Sequence, residues 1–264
     1  MKKMTIIDKI HNEITHTILW FYENLRCIKY RDLILENRRF QNIANGRRCF
    51  IIGNGPSLTV EDLETIHKHN DVSFSSNKIY KLFDKTSWRP TYYATCDTKL
   101  YNNFKNEIDA LDLIKFFPLD IFDKCIKERM KNVFVFSRLP FQFFGNKPRF
   151  NPNLLGRLSE GGTVTFHQLQ IAVAMGFKEI YLIGIDFNFS WGIGPDGKYF
   201  ENPSVKDHFD ADKSKLDVMP NLYYNLQAYK AAKKYAEINN VKIYNATRGG
   251  KLEVFPRINF DSLF

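Results

Sequence analysis

Residues 49–62 read Cys49-Phe50-Ile51-Ile52-Gly53-Asn54-Gly55-Pro56-Ser57-Leu58-Thr59-Val60-Glu61-Asp62. The apolar run at 49–52 has the length and branching of a buried strand. It stops at the glycine-bearing turn 53–57. Thr59 then stands where it can cap a helix whose first turn carries Glu61 and Asp62. Strand, turn and helix in that order open a βαβ unit.

Further strands are expected at 72–74, 91–95, 133–136, 179–185 and 241–244. Helices are expected at 163–175, with Gly176 as the C-terminal stop, and from Pro220, at a first helical position, to about 238. Strands that alternate with helices imply a mostly parallel α/β sheet flanked by helices. The stretch 190–219 carries Gly192, Gly194, Pro195, Gly197 and Pro203, and reads as a structureless lid loop.

Bulk composition narrows the class. The chain has 264 residues, 44% hydrophobic and 25% charged, which excludes wholesale disorder and suits one large domain with a small appendage. We divide it into an N-terminal helical extension, 1–46, and a catalytic-type domain, 47–264. The four cysteines form no C-x-x-C pair, which argues against zinc and thioredoxin-like chemistry and leaves no metal site expected. No secretory leader is expected, so the thiols read as reduced in a cytoplasmic protein.

Net charge is +9, and residues 1–48 hold ten Lys/Arg against five Asp/Glu. A basic surface attracts anionic lipid, nucleic acid or phosphorylated metabolites. No basic stripe interleaves with aromatics, so nucleic acid is not expected as a partner. Residues 4–26 read as an amphipathic helix, with Ile7, Ile10, Ile14, Ile18, Phe21 and Leu25 at steps of three and four. Such a helix either packs on the domain or serves as a peripheral membrane contact at the inner face of the cell membrane, or a partner contact; separately, a homo-oligomer is allowed for.

Three stretches offer chemistry. In a parallel sheet, ligands bind beyond the carboxyl ends of the strands. Gly53, Asn54, Gly55, Pro56 and Ser57 lie at one such end, where glycines let backbone approach a ligand and free amides can receive phosphate oxygens. The lysine and spacing of a Walker loop are absent, as is G-x-G-x-x-G. These residues would also serve an ordinary βα turn; two glycines paired with Asn54 favour a site. Ser75, Ser76 and Asn77, then Asp97, then Asp186 follow other strands on the same edge.

The second stretch is Arg157-Leu158-Ser159-Glu160-Gly161-Gly162-Thr163. Paired glycines before a helix expose amides to an anion, and Arg157 adds fixed positive charge. The third is His208 in the polar stretch, whose imidazole can take a proton from a hydroxyl near neutral pH. Asp207, Asp210 and Asp212 could set its tautomer. Asp210 and Asp212 also form a weak D-x-D pair.

At this point the residues resemble two related groups. Ile51-Ile52-Gly53-Asn54-Gly55-Pro56-Ser57-Leu58, Ser76-Asn77-Lys78-Ile79-Tyr80 and Gly176 through Phe187 are similar to the bacterial sialyltransferases of glycosyltransferase family 42. They are similar also to the 6-hydroxymethylpterin pyrophosphokinase-like domains of surface-polysaccharide clusters. The first resemblance implies a Rossmann-like fold and a metal-independent, inverting glycosyltransferase. Its donor would be a CMP-activated nonulosonic acid, with no further cofactor, and its acceptor a glycan or lipid-linked glycan.

On that resemblance Asn54, Gly55 and Asn77 contact the nucleotide. Arg157, Ser159 and Gly161 border the donor, while Gly161, Gly162 and Thr163 look more like the second group. His208 is the base, and Tyr199 helps the phosphate leave. Glu160 stands where that family has a serine. The second resemblance implies an ATP- and magnesium-dependent pyrophosphokinase, with Asp97 and Asp186 as metal candidates. A non-catalytic scaffold subunit of a glycan assembly complex is the third expectation.

Overall fold

Cys49, Phe50, Ile51 and Ile52 are wholly buried, on both faces of their strand. A strand covered on both faces reads as continuous rather than alternating apolar sequence, the signature of a parallel sheet between helix layers. The computed structural model describes residues 6–125, 132–139, 148–209 and 219–264. It begins with helices α1 (Ile6–Lys29) and α2 (Arg31–Leu35). Strand β1 (Arg48–Ile52) follows, then α3 (Val60–Lys68), β2 (Val72–Ser76), β3 (Tyr92–Ala94), α4 (Thr98–Asn103), α5 (Lys105–Asp109), β4 (Ile114–Pro118) and α6 (Leu119–Cys125). The chain continues with β5 (Val133–Leu139), β6 (Arg157–Ser159), α7 (Val164–Ala174), β7 (Glu179–Ile183), β8 (Trp191–Ile193), β9 (Tyr199–Glu201), α8 (Leu222–Ile238) and β10 (Lys242–Asn245).

Among the described residues, eight strands form one sheet in the order β10-β7-β1-β2-β3-β4-β5-β6. Every neighbouring pair is parallel. This is the Rossmann-like α/β architecture expected. On one face Cys49 and Ile51 join Phe74, Phe116, Leu169 and Ala232 in a core covered by α7 and α8. On the other, Phe50 and Ile52 join Leu63, Ile66, Tyr101 and Ile108 beneath α3, α4 and α5. Phe40 and Ala44, from the segment before β1, belong to the first core.

Local signals explain most boundaries. The Thr59 hydroxyl accepts the Asp62 amide at 3.1 Å and starts α3. Gly176, at φ +92°, closes the α7 turn. Two expectations are corrected. Pro220 is not a first helical residue: Asn221 caps α8 by accepting the Tyr224 amide at 2.9 Å, and the Pro220 carbonyl accepts from Ile193 at 2.8 Å. The stretch 190–219 is not structureless either. Its start folds as the antiparallel β8–β9 hairpin, around a turn in which Gly194 N–H donates to the Lys198 carbonyl at 2.7 Å.

Strand β4 escaped sequence reading because Lys115 interrupts its apolar run. That lysine is buried, and its ammonium donates to the carbonyls of Leu111 at 2.6 Å and Asp109 at 3.0 Å. Three carbonyls at the end of α5, counting Ile108 at 3.4 Å, make an interior lysine tolerable. Burial still pulls its pKa below the ordinary lysine value.

Candidate functional site

Because all eight strands are parallel, their carboxyl ends share one edge. From β1 the sheet steps outward through β2 to β6; the chain then returns to lay β7 on the other side of β1. The connections therefore diverge between β1 and β7, the topological switch point where open α/β sheets bind ligands. The loop 53–57 leaves β1 there, and Gly184, Ile185 and Asp186 leave β7.

The two loops are in close contact. Gly53 N–H donates to the Ile183 carbonyl at 2.8 Å, and Gly55 N–H to the Gly184 carbonyl at 2.9 Å. A Cβ on Gly53 would lie 2.3 Å from the Gly184 oxygen, and one on Gly55 1.7 Å from Asp186 Oδ2. These glycines thus answer to the β7 loop, and their amides are engaged within the protein. Within the turn 53–57, the amides of Gly53 and Gly55 are therefore not free to receive phosphate oxygens.

Polar side chains gather around that junction. Ser57 Oγ donates to Asp186 Oδ2 at 2.8 Å. Burial raises the Asp186 carboxyl above its usual range, against the pull of Ser57 and of His208. Asn54 Nδ2 donates to the Ser76 carbonyl at 3.1 Å, while Asn54 Oδ1 is buried without a protein donor. Asn77, in the left-handed region at φ +53°, receives Thr95 Oγ1 on its side-chain oxygen at 3.2 Å. Phe187, directly after Asp186, also sits at φ +52°. A bulky residue held there stores strain, and such strain clusters at functional sites.

His208 reaches the same junction. Phe209 N–H donates to the Asn54 carbonyl at 3.0 Å, which ties the strap after β9 to the β1 loop. The His208 ring stands edge-on to Phe189, with centroids 6.3 Å apart. Asp207 holds the strap's other side: its carboxylate accepts Ser190 N–H at 2.6 Å and Ser190 Oγ at 2.7 Å. The structure therefore brings Gly53, Asn54, Gly55, Pro56, Ser57, Asn77, Asp186 and His208 to one place.

Other candidates lie elsewhere on the edge. Asp97 accepts the amides of Lys99 and Leu100 and caps α4. Tyr199 is exposed on the hairpin and hydrogen-bonds Glu201. Arg157 donates to Asn24 of α1 at 2.5 Å, so its charge faces the N-terminal helix. Asp210 and Asp212 lie outside the described residues. Among the described residues no three His, Cys, Asp or Glu side chains gather as metal ligands.

The stretch 159–163 does not present bare amides. Glu160 Oε1 accepts Gly161 N–H at 3.1 Å and Gly162 N–H at 3.0 Å. Gly162 adopts φ +72°, which turns its amide toward that oxygen. Buried Ser159 exchanges hydrogen bonds with Gln170 of α7, and Thr163 is the N-cap residue of α7. Glu160 Oε2 pairs with Arg138 at 3.2 Å and lies 3.7 Å from His167 Nε2. Arg138 also pairs with Asp120 at 2.5 Å and donates to the Cys96 carbonyl at 3.3 Å.

Burial alone would raise the Glu160 carboxyl; His167, Arg138 and the Gly162 and Gly161 amides instead hold it below the usual range. Burial pushes the His167 imidazole below its ordinary value. Sequence reading missed Arg138, Asp120 and His167. The signal available was Arg138 at the end of β5, a strand that runs three residues beyond the apolar stretch 133–136. Gln168 of α7 donates to the Ser75 carbonyl at 2.7 Å and links this cluster to the switch point.

Comparison with known proteins agrees with the architecture. The model of a family described as "6-hydroxymethylpterin diphosphokinase MptE-like" matches residues 21–192. The structure of the MAf glycosyltransferase from Magnetospirillum magneticum AMB-1 superposes with a TM-score of 0.51 at 17% identity, over 89% of this chain. This chain spans 39% of that protein's length. A mammalian sialyltransferase in complex with Gal-beta-1-3GalNAc-ortho-nitrophenol is more distant, with a TM-score of 0.39 at 13% identity over 78% of this chain and 70% of its own. No curated protein matches the chain in sequence.

Proposed function

This chain belongs to the MptE-like family, and on its fold likeness to the MAf glycosyltransferase we propose that it is a glycosyltransferase acting in surface-glycan synthesis. The donor in this reading is a sugar activated by a nucleotide, specifically a CMP-linked nonulosonic acid. The acceptor is a hydroxyl of a glycan or lipid-linked glycan. The observation that carries the proposal is the meeting of His208, Asp186 and Asn54 at the β1/β7 switch point.

The chemistry follows from those groups. The nucleotide lies across the switch point, where a donor N–H of the ligand would satisfy the buried Asn54 Oδ1. The acceptor oxygen attacks the anomeric carbon as the bond from that carbon to the CMP phosphate breaks, which inverts the centre. The acceptor proton passes to the His208 imidazole, and CMP leaves with the bonding electrons. Asp186 stabilises the imidazolium that forms. The strap carrying His208 excludes water and limits donor hydrolysis.

A second reading has one observation in its favour, the family description as a diphosphokinase. It requires ATP with magnesium held by carboxylates. Asp97 spends Oδ1 on two helix amides and Asp186 spends Oδ2 on Ser57, so neither carboxylate is fully available. We therefore rank it second.

The test is CMP release from CMP-sialic acid with a lipid-linked glycan acceptor, with and without a chelator. His208→Ala is expected to lower the rate by about 10²–10⁴-fold while the fold is retained. Wild-type rates in folded His208→Ala would remove the base. Release of AMP from ATP, lost with chelator and restored by magnesium, would establish the second reading.

A further inference from the structure

Helix α1 is amphipathic in the reverse sense for a helix at a domain surface. Its polar side faces the protein. Glu23 is buried, accepting Ser137 Oγ at 2.7 Å and the Arg138 amide at 3.2 Å. Arg26 pairs with Asp123 of α6 at 2.7 Å, and Asn24 accepts from Arg157. Its apolar side faces solvent: Ile14, Ile18, Phe21, Leu25 and Ile28 are 56%, 50%, 57%, 48% and 74% exposed. At steps of four and three these residues form one stripe, with Trp20 and Tyr22 exposed beside it. A stripe of this kind is covered in the working state of a protein, because exposed apolar patches mark interaction surfaces.

Charge selects the occupant. Lys29, Arg31, Arg38 and Arg39 are exposed at the end of the helix and just beyond it, outnumbering the exposed Asp32 and Glu36 of the same segment, and Lys29 also pairs with Asp123 at 3.4 Å. Residues 1–48 carry ten basic against five acidic residues, within a chain of net charge +9. Two copies joined through this face would bring like charge together, whereas an anionic surface complements it. No helix among the described residues is long and apolar enough to cross a membrane, so the geometry is that of a helix lying in the interface. Exposed Trp and Tyr suit the headgroup level.

We propose that α1 binds the surface of an anionic phospholipid bilayer, with its apolar stripe in the acyl boundary and the basic cluster against the headgroups. The inner side of the helix grips β5 and the start of β6, next to the Arg138–Glu160 cluster. Membrane binding by α1 therefore holds the carboxyl edge of the sheet close to the lipid. This contact is the same whichever reaction the switch point catalyses.

The test uses the full chain with sedimented vesicles of phosphatidylcholine alone and of phosphatidylcholine with 30 mol% phosphatidylglycerol, a composition chosen as about that of a strongly anionic surface. Binding is expected on the anionic vesicles and lost at high salt. Phe21→Ser with Leu25→Ser should abolish it. Each of Arg31→Gln, Arg38→Gln and Arg39→Gln should weaken it about fivefold. All five side chains lie in exposed positions, and circular dichroism confirms the fold of each variant. Equal binding to both vesicle types, or none to either, overturns the proposal. A dimer in light scattering that Phe21→Ser dissociates, without vesicle binding, would assign the face to a second copy. Vesicle binding is read without any activity assay, so its failure is separate from failure of the glycosyltransferase reading.

Discussion

At position 160 a carboxylate fills the double amide turn that the sequence pattern offers to a ligand anion. Arg138 and Asp120 complete a partly buried network around it. Removing one member leaves its partners desolvated and unpaired, which costs more than the pair is worth in water. Glu160→Gln keeps the shape and removes the charge, so about 1.5–3 kcal/mol of stability should be lost at pH 7. The pH dependence has a definite sign. The folded-state pKa of Glu160 is depressed, so its stabilisation is present above the unfolded value of about 4.3 and vanishes as pH falls through the folded value. Urea unfolding of the two proteins at pH 7 and near pH 3 reads this directly. A stability gap that ignores pH would assign Glu160 to packing alone.

Among elements, the strands buried on both faces were legible in sequence, because β1 and β7 are continuous apolar runs that end in glycine. The cap of α3 and the stop of α7 were legible for local reasons as well. Strand β4 was not, since the carbonyls that tolerate Lys115 come from the end of α5 and the turn after it and leave no trace in the strand's own pattern. The β8–β9 hairpin hid behind its glycines, which read as loop although they form the turn. At the candidate site, the residues from the β1 loop, Asn77, Asp186 and His208 were identified, but the engagement of Gly53 and Gly55 by β7 depends on a contact some 130 residues away. No local pattern encodes it.

The strap that carries His208 depends on a nearer contact. Asp207 fastens it to Ser190 by two hydrogen bonds. Asp207→Ala should leave the sheet intact and loosen the strap, so that, on the base role proposed for His208, kcat/KM falls about tenfold to a hundredfold through misplacement of the imidazole. Cleavage by a protease near residues 200–209 should quicken in parallel. Lower activity with an unchanged cleavage rate would mean that Asp207 acts on His208 directly and not by holding the strap.

At the scale of the whole molecule, the switch point joins two parts of the sheet, β10–β7 and β1 through β6, across a single seam between β7 and β1. A ligand seated over that seam touches loops from both parts and has no counterpart in the unfolded chain. Binding must therefore raise global stability: at a hundredfold excess over Kd the gain is about 2.7 kcal/mol, or about 5–10 °C in Tm for a domain near this size. Net charge complicates the reading, because a chain at +9 attracts any polyanion. Base and phosphate number separate the cases. A shift that grows from CMP to CTP and follows phosphate number whatever the base, through UDP, GDP, ATP and inorganic triphosphate, reports charge alone, and it would vanish at high ionic strength. A shift specific to CMP, without magnesium and resistant to salt, is expected if Asn54 and its neighbours read a cytidine. Stabilisation by ATP only in the presence of magnesium would favour the diphosphokinase reading.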